Sequence, residues 1–409
     1  MKYRLGDICT ITKGAIGIMK AIAGSYTMIT LGEIEKTHNE YQFDAKAVII
    51  PLVSSTGHGH ASMKRVKYCE GKFALGNILC AVIPNDESFV LAKYLHIYLH
   101  WNREELLVSQ MKGMANVSLP MNRIADVMVP VPSIEKQIQI IELEKQLVQK
   151  ELLADEVFTR QLSLLENLNQ AILQEAVQGK LVPQDPKDEL AGELLKRIKT
   201  EKAKYFPLRG NKKMASLPPI KAEEIPFEIP ENWVWCRIEE VFYTIGSKNN
   251  QVQSKEYCEI GKFPIIDQGY RYIIGYSNDE SKVLRIKKPV IVFGDHTKNI
   301  KFIDFDFVVG ADGTKILTNY DYIFEKWFYF YLKSINLENK GYSRHFKLLK
   351  KHLISLPPLS EQKRIVAEIE KQLEKTQELK AHILSNQQAT EQLLKALLQG
   401  AFEGEKKVN

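Results

Sequence analysis

The chain repeats itself, and the repeat limits its architecture more than any other feature. Glu144-Lys145-Gln146-Leu147 recurs as Glu370-Lys371-Gln372-Leu373, a displacement of 226 residues, and the stretch 132–135 before it matches 358–361 at the same displacement. Ala171-Ile172-Leu173-Gln174 with Ala176 and Gly179 matches Ala396-Leu397-Leu398-Gln399 with Ala401 and Gly404, now at 225. Upstream, Arg4-Leu5-Gly6-Asp7-Ile8 is similar to Arg237-Ile238-Glu239-Glu240-Val241, and 93–99 is similar to 326–332, both at 233. The order is globular unit, helix, globular unit, helix, and a period this long sets the architecture before any local pattern is weighed.

Periodicity identifies the helices. Leu147, Ala154, Phe158, Leu162, Leu165, Leu168, Ile172 and Ala176 fall on one stripe in steps of three, four or seven, and Leu373, Thr376, Leu379, Ile383, Thr390, Leu394, Leu397 and Ala401 form a second. Gly179 and Gly404 sit where helices stop. A helix of about 45 residues is roughly 65 Å long and needs a partner along its length. The available partner is its own copy: halves related by a pseudo-two-fold axis bring the two helices together antiparallel, with the globular units at opposite ends. The alternative is that each stripe packs on its own globular unit.

Within the units, Ala47-Val48-Ile49-Ile50 and Val290-Ile291-Val292-Phe293 read as buried strands, and Ile303, Phe305 and Phe307, alternating with Asp304 and Asp306, read as a half-buried one. Residues 89–99 and 322–332 each read as an amphipathic helix rich in aromatics, so the units are α+β. Between the first helix and the second unit, Pro183-Gln184-Asp185-Pro186 opens an extended connector closed by Leu217-Pro218-Pro219 and Pro226-Phe227-Glu228-Ile229-Pro230. Inside it, Lys196, Arg197, Lys199, Lys202 and Lys204 form a basic run that reads as a solvated helix face, with DNA phosphates or a partner as the alternative.

Composition sets limits on partners. A formal charge of +6 over 409 residues is only mildly basic, so phosphate attraction by this chain alone is weak and a basic partner is expected to help if DNA is the ligand. Five widely spaced cysteines without a Cys-x-x-Cys pair read as reduced thiols. No apolar run is long enough to cross a bilayer, and the expected location is cytoplasmic.

Leu356-Pro357-Pro358-Leu359-Ser360-Glu361-Gln362-Lys363-Arg364-Ile365 resembles the entrance to the distal conserved helix of type I restriction-modification specificity subunits. Pro226-Phe227-Glu228-Ile229-Pro230-Glu231-Asn232-Trp233 resembles the segment that opens their second recognition domain. The first copy, Pro130-Val131-Pro132-Ser133-Ile134-Glu135-Lys136-Gln137, departs from the double proline. With the repeat, the resemblance covers essentially the whole chain. It implies an α+β fold in which two α/β target-recognition domains are separated by two long helices forming an antiparallel coiled coil, a pseudo-two-fold internal repeat. The boundaries become 1–132 for the first recognition domain, 133–180 for the central long helix, 181–230 for an extended linker, 231–356 for the second domain and 357–409 for the distal helix.

The resemblance also implies a division of labour. The chain reads a bipartite, asymmetric site on double-stranded DNA; two methyltransferase subunits bind along the helices and methylate adenine with S-adenosylmethionine; restriction subunits use ATP and magnesium; this chain binds no cofactor and no membrane. The residues agree on the missing chemistry. Both Pro-Pro pairs, Pro218-Pro219 and Pro357-Pro358, follow leucine, so there is no Asn- or Asp-Pro-Pro-aromatic motif for a flipped base, and no Gly-x-x-x-x-Gly-Lys-Ser/Thr loop for a nucleotide motor. A coiled-coil scaffold that never touches nucleic acid is the competing reading, but it has no reason to let its globular copies diverge further than its helices, as they do here.

Candidate readers lie in polar loops. Gly57-His58-Gly59-His60 has too few companions for a metal site. As part of a run with Ser55, Thr56, Lys64 and Arg65, however, His58 and His60 can reach bases or phosphates, the alternative being an inert glycine-rich loop. Gln268, Tyr270 and Arg271 place an amide and a guanidinium beside an aromatic, both groups able to pair with bases in bidentate fashion. His296 and Lys298 follow a buried strand; Asp295-His296 without a nucleophile motif reads as a structural hydrogen bond rather than catalysis. Arg344 and His345 are loop candidates after Gly341, with Lys112 and Asn116 as their first-domain counterparts.

Overall fold

The structure is a computed structural model of the chain, and it describes residues 1–56, 60–114, 117–205, 217–310, 313–337 and 344–403. It divides into two compact units, one formed by Met1–Thr159 with Ile383–Asn409 and the other by Arg160–His382.

The first unit holds β1 (Lys2–Arg4), β2 (Cys9–Lys13), β3 (Tyr26–Ile29), β4 (Lys36–His38), β5 (Phe43–Asp44), β6 (Ala47–Pro51), β7 (Lys67–Cys69), β8 (Lys72–Leu75) and β9 (Leu79–Pro84). Helix α1 (Ala92–Trp101) and strand β10 (Met128–Pro130) follow, and then the long helix α2 (Ile134–Val177). The strands make sheets in the orders β2-β9-β6-β7, β4-β3-β8-β5 and β1-β10. All pairs are antiparallel except β3 with β8. Every residue of β6 is buried, as an apolar run at the centre of a sheet requires.

In the second unit, helix α3 (Ala191–Tyr205) precedes β11 (Val234–Arg237), β12 (Phe242–Ile245), β13 (Phe263–Ile266), β14 (Gly275–Ser277), β15 (Val283–Leu284) and β16 (Val290–Gly294). Then come β17 (Ile300–Ile303), β18 (Phe307–Val309), β19 (Thr314–Asn319), helix α4 (Glu325–Ser334), β20 (Leu353–Leu356) and the long helix α5 (Leu359–Glu403). The orders are β12-β19-β16-β17, β14-β13-β18-β15 and β11-β20, and again one pair, β13 with β18, is parallel. The two units therefore repeat strand for strand, although their strand sequences give little sign of it.

Two expectations need correction. The alternating stretch from Ile303 to Phe307 is not one strand: β17 ends at Ile303 and β18 begins at Phe307 in a different sheet. Between them Asp306 turns its carboxylate to accept the Ile286 amide at 2.9 Å and pair with Arg285, so the alternation marks a corner. The helix expected inside the extended connector is also more than a solvated face, because α3 buries Ala191, Leu194, Leu195 and Ile198, the last three in the core of the second unit. Spacing of these residues by three and four supplies the apolar stripe that docks it.

The short helices begin three residues later than periodicity predicts, for a reason periodicity cannot show. Neither N-cap position, Leu91 or Phe324, has a side chain able to cap. The cap comes from a buried glutamine at the start of the following long helix: Gln137 Oε1 accepts the Leu91 amide at 2.9 Å, and Gln362 Oε1 accepts the Phe324 amide at 2.8 Å. Each glutamine then donates Nε2 to the carbonyl five residues before it, Pro132 at 2.9 Å and Pro357 at 3.0 Å. Structurally equivalent positions at the helix entrance are thus displaced by 225, not by the 226 at which 132–135 matches 358–361 in sequence.

Each unit contains an antiparallel pairing of α2 with α5. In the first, Leu147 clusters with Leu394 and Leu398, and eight residues along α2 Asp155 accepts from Gln387 at 3.2 Å. In the second, Thr376 donates to Asn169 at 2.7 Å, while Ile172 to Val177 and Ile365 to Ile369 share one core. The seam follows the predicted stripes except at Leu168, Leu379 and Leu397, which are exposed; Asn169 and Leu398 turn inward instead, the drift expected of a 3.6-residue turn against fixed steps. Each globular core is closed by the C-terminal end of a long helix, Phe402 packing on Tyr94 and Tyr98 in one unit and Ala176 and Val177 in the other. Gly179 ends α2 with φ +72°, and a Cβ there would lie 2.5 Å from Pro230.

Candidate nucleic-acid interface

Three loops converge in each unit, and they leave the same elements in both. One follows β3 or β13, one joins β6 to β7 or β16 to β17, and one follows the short helix α1 or α4.

In the first unit the β6–β7 loop is tied by its own hydroxyls. Ser54 Oγ receives the Ser62 and Thr56 amides at 3.1 and 3.3 Å, Ser55 Oγ receives the Lys64 amide at 3.1 Å, and Thr56 and Ser62 hydroxyls lie 3.0 Å apart. Ser55 and Thr56 therefore serve the shape of the loop, while His60 and Lys64 stand exposed upon it. Arg65 pairs with Glu33 of the loop after β3 and holds that carboxyl below its ordinary range. The loop after α1 joins the same cluster: the Ser54 amide donates to the Val117 carbonyl, and Lys112 and Ser118 exchange backbone bonds at 2.8 Å, leaving the Lys112 side chain exposed. His58 and Asn116 lie outside the described residues.

In the second unit Gln268 is half-buried, its Oε1 accepting the His296 amide at 3.1 Å and its carbonyl accepting the Thr297 hydroxyl at 2.5 Å. It joins two loops. Tyr270 is 86% exposed and Arg271 is exposed beside it. Lys298 adopts φ 59° and donates to the Leu337 carbonyl at 3.3 Å. Arg344 is exposed, but His345 is completely buried, its amide and Nδ1 held at 2.8 and 3.1 Å from the Asp295 carbonyl. Asp295 Oδ1 in turn accepts the Phe346 amide at 2.9 Å. The aspartate and His345 fasten the third loop to the second; His345 does not present its ring at the surface.

The loop after β3 carried no candidate from sequence. The signal is there: Tyr26-Thr27-Met28-Ile29-Thr30-Leu31-Gly32 matches Phe263-Pro264-Ile265-Ile266-Asp267-Gln268-Gly269 in apolar pattern and in its closing glycine, at a displacement of 237. Most of the basic run of α3 is already engaged: Lys196 pairs with Glu193, Arg197 with Glu189 and Lys199 with Glu240, and Lys202 donates to the Glu239 carbonyl at 2.8 Å. Among the described residues no group of three or more His, Cys, Asp or Glu is placed to hold a metal ion, and no helix is long and apolar enough to cross a membrane.

Fold and site together define a tandem protein: one α+β domain used twice, each copy presenting polar loops of its own composition beside paired long helices. The sequence profile of the type I restriction modification DNA specificity domain matches residues 1–155 and again 230–387. The chain belongs to that family. It is similar to the type I restriction enzyme EcoAI specificity subunit of Escherichia coli, 32% identical over 277 residues that cover 61% of this chain and 46% of that protein. It is also similar to the EcoEI specificity subunit of the same organism, 51% identical over 87 residues, 21% of this chain and 14% of that one. The matches thus span less than half the length of these relatives. A solved structure concerned with assembly and conformational transition of the type I R-M system shares the fold, with a TM-score of 0.58 at 19% identity over 99% of this chain and 98% of the other.

Proposed function

We propose that the chain is a sequence-specific DNA-binding specificity subunit of a type I restriction-modification complex, reading a bipartite, asymmetric site with one domain per half. The observation that carries this reading is that three loops converge at the same place on two identical topologies while presenting different side chains: His60, Lys64 and Lys112 in one, Tyr270, Arg271 and Arg344 in the other. A constant scaffold with variable loops is what two unlike half-sites demand. Guanidinium and amide groups discriminate base edges, and lysines locate the phosphates.

The chain has no catalytic role in this proposal. Two methyltransferase subunits supply adenine methylation from S-adenosylmethionine, restriction subunits supply ATP- and magnesium-dependent cleavage, the present chain binds none of these cofactors, and the complex works in the cytoplasm. Co-expression with its methyltransferase subunit and mapping of N6-methyladenine across the host genome is expected to give a two-part asymmetric motif. Exchanging residues 1–130 for the equivalent domain of a related subunit should alter one half and leave the other. An assembled complex that leaves methylation unchanged, or an exchange that alters both halves, contradicts the reading.

A further inference from the structure

Beneath the diverged loops the two domains keep one identical device. Lys67 pairs with Ile49, the third residue of β6, and Lys301 pairs with Val292, the third residue of β16, so they occupy the same register position. Lys301 is buried and Lys67 largely so, with side chains 4% and 15% exposed. Lys67 Nζ donates to the Thr30 and Gly32 carbonyls at 2.8 and 2.6 Å and to Glu35 at 2.5 Å. Lys301 Nζ donates to the Asp267 and Arg271 carbonyls at 2.9 and 2.5 Å, with Asp267 Oδ1 and the Tyr272 carbonyl at 3.5 Å. Thr30 and Asp267 are themselves equivalent, each following the last residue of β3 or β13.

An ammonium has three donors in tetrahedral array, and once buried it must spend them on acceptors. Here the acceptors belong to a single loop, 30–35 or 267–272, so the lysine fixes that loop's path from beneath. Each loop also closes on itself, Glu35 accepting the Thr30 amide and Asp267 accepting the Gly269 amide, both at 2.8 Å. At the tips, large side chains face solvent: Ile34 is 87% exposed and Tyr270 86%. Counted from the shared glycines, Glu33 and Ile34 stand where Tyr270 and Arg271 stand.

We propose that Lys67 and Lys301 are positioning residues for base readout, each holding the loop whose tip (Glu33 and Ile34, or Tyr270 and Arg271) meets the bases of its own half-site. The tip chemistries suit different base edges: a carboxylate accepts from cytosine, an aliphatic side chain covers a thymine methyl, and a guanidinium pairs with guanine. This rests on the DNA-reading proposal above, and each half of the motif serves as the control for the other.

The test is N6-methyladenine mapping with the assembled complex carrying Lys67→Met, Lys301→Met or Lys67→Arg. Each methionine variant is expected to blur preference in one half of the motif by about tenfold against mismatched bases and to leave the other half sharp, with Lys67→Arg partly restoring it. A wild-type complex without a two-part motif sinks the DNA-reading proposal itself. A sharp wild-type motif that Lys67→Met and Lys301→Met leave unaltered, or blur equally in both halves, overturns the positioning role alone. Should Lys67→Met fail to assemble, Ile34→Ala decides, since it removes only an exposed side chain: change confined to one half supports the inference, and an unaltered motif overturns it.

Discussion

The two α+β domains fill the layer between short helix and sheet with different chemistry at matching places. In the first, α1 turns two imidazoles toward the end of the β6–β7 loop, and Arg103, just beyond the helix, adds a guanidinium. His96 Nε2 and His100 Nδ1 lie 3.0 and 3.2 Å from the Val66 carbonyl, and Arg103 donates to the Met63 carbonyl at 2.9 Å. In the second, α4 brings Trp327, Phe328 and Tyr331, with Phe328 against Phe242. One contact shows the rule: Tyr68 meets His96 with ring centroids 6.0 Å apart, and at the equivalent positions Phe302 meets Tyr329 at 5.7 Å. The scaffold keeps a ring against a ring there and leaves its identity free. At the glutamine cap and the lysine it keeps the residue itself, because those sites must satisfy several backbone groups at once.

The sharpest way to break this comparison is to remove the caps. Gln137→Leu strands the Leu91 amide and the Pro132 and Phe89 carbonyls, the last held at 3.0 Å. Gln362→Leu strands only the Phe324 amide and the Pro357 carbonyl. At about 1–3 kcal/mol for each buried group left unpaired, both variants should lose about 3 kcal/mol or more, Gln137→Leu the larger share. Hydrogen exchange resolved by domain is the measurement. Protection should fall in the domain carrying the substitution, and unchanged protection there would show that the glutamine is replaceable packing.

Acid separates the domains less strongly. Burial, with Lys93 and His100 adding repulsion, pushes the His96 imidazole down to about 4 from its ordinary 6.5, and burial lowers His100 as well. Between those values the unfolded chain binds a proton that the folded domain refuses, so stability is present above about pH 6.5 and drains away toward pH 4, by up to about 3 kcal/mol for this one ring. Tyr329 at the equivalent site has no such transition; in the second domain the imidazole that burial holds down is His352, and both domains carry depressed carboxyls whose loss comes at lower pH. The first domain should therefore open first on acidification. His96→Phe keeps the ring contact, costs about 1 kcal/mol near neutral pH through the lost bond to Val66, and should flatten the first domain's dependence between about pH 7 and 5. Equal slopes for variant and wild type would remove His96 from this account.

What sequence revealed and hid follows from the range of the interactions. Helices of 44 and 45 residues announce themselves because each turn repeats the pattern, and the buried runs of β6 and β16 announce themselves because both faces are covered. The caps did not, since Gln137 serves an amide 46 residues before it and no period links the two. The corner at Asp304–Asp306 imitates a strand because alternation describes side-chain facing without describing which sheet receives it. In the site, residue type found the right loops but not their exposure: Arg271 and His345 are equally polar on paper, yet one faces solvent and the other is sealed beneath Asp295.

The smallest effect expected is also the cleanest separation of charge from contact. Helix α3 carries the densest basic run, but its Lys196, Arg197 and Lys199 are matched by Glu193, Glu189 and Glu240, whereas Lys64 and Lys112 are exposed with no ion-pair partner among the described residues. Counterion release scales with phosphates neutralised, and a lysine already paired with a carboxylate releases few. Changing Lys196, Arg197 and Lys199 together to Gln should leave the slope of log K against log salt for DNA binding essentially as it was. Lys64→Gln and Lys112→Gln should each reduce it by about 0.9. A slope that falls by about two or more with the α3 triple change would place the phosphate track on the connector, and would make the loops readers without being anchors.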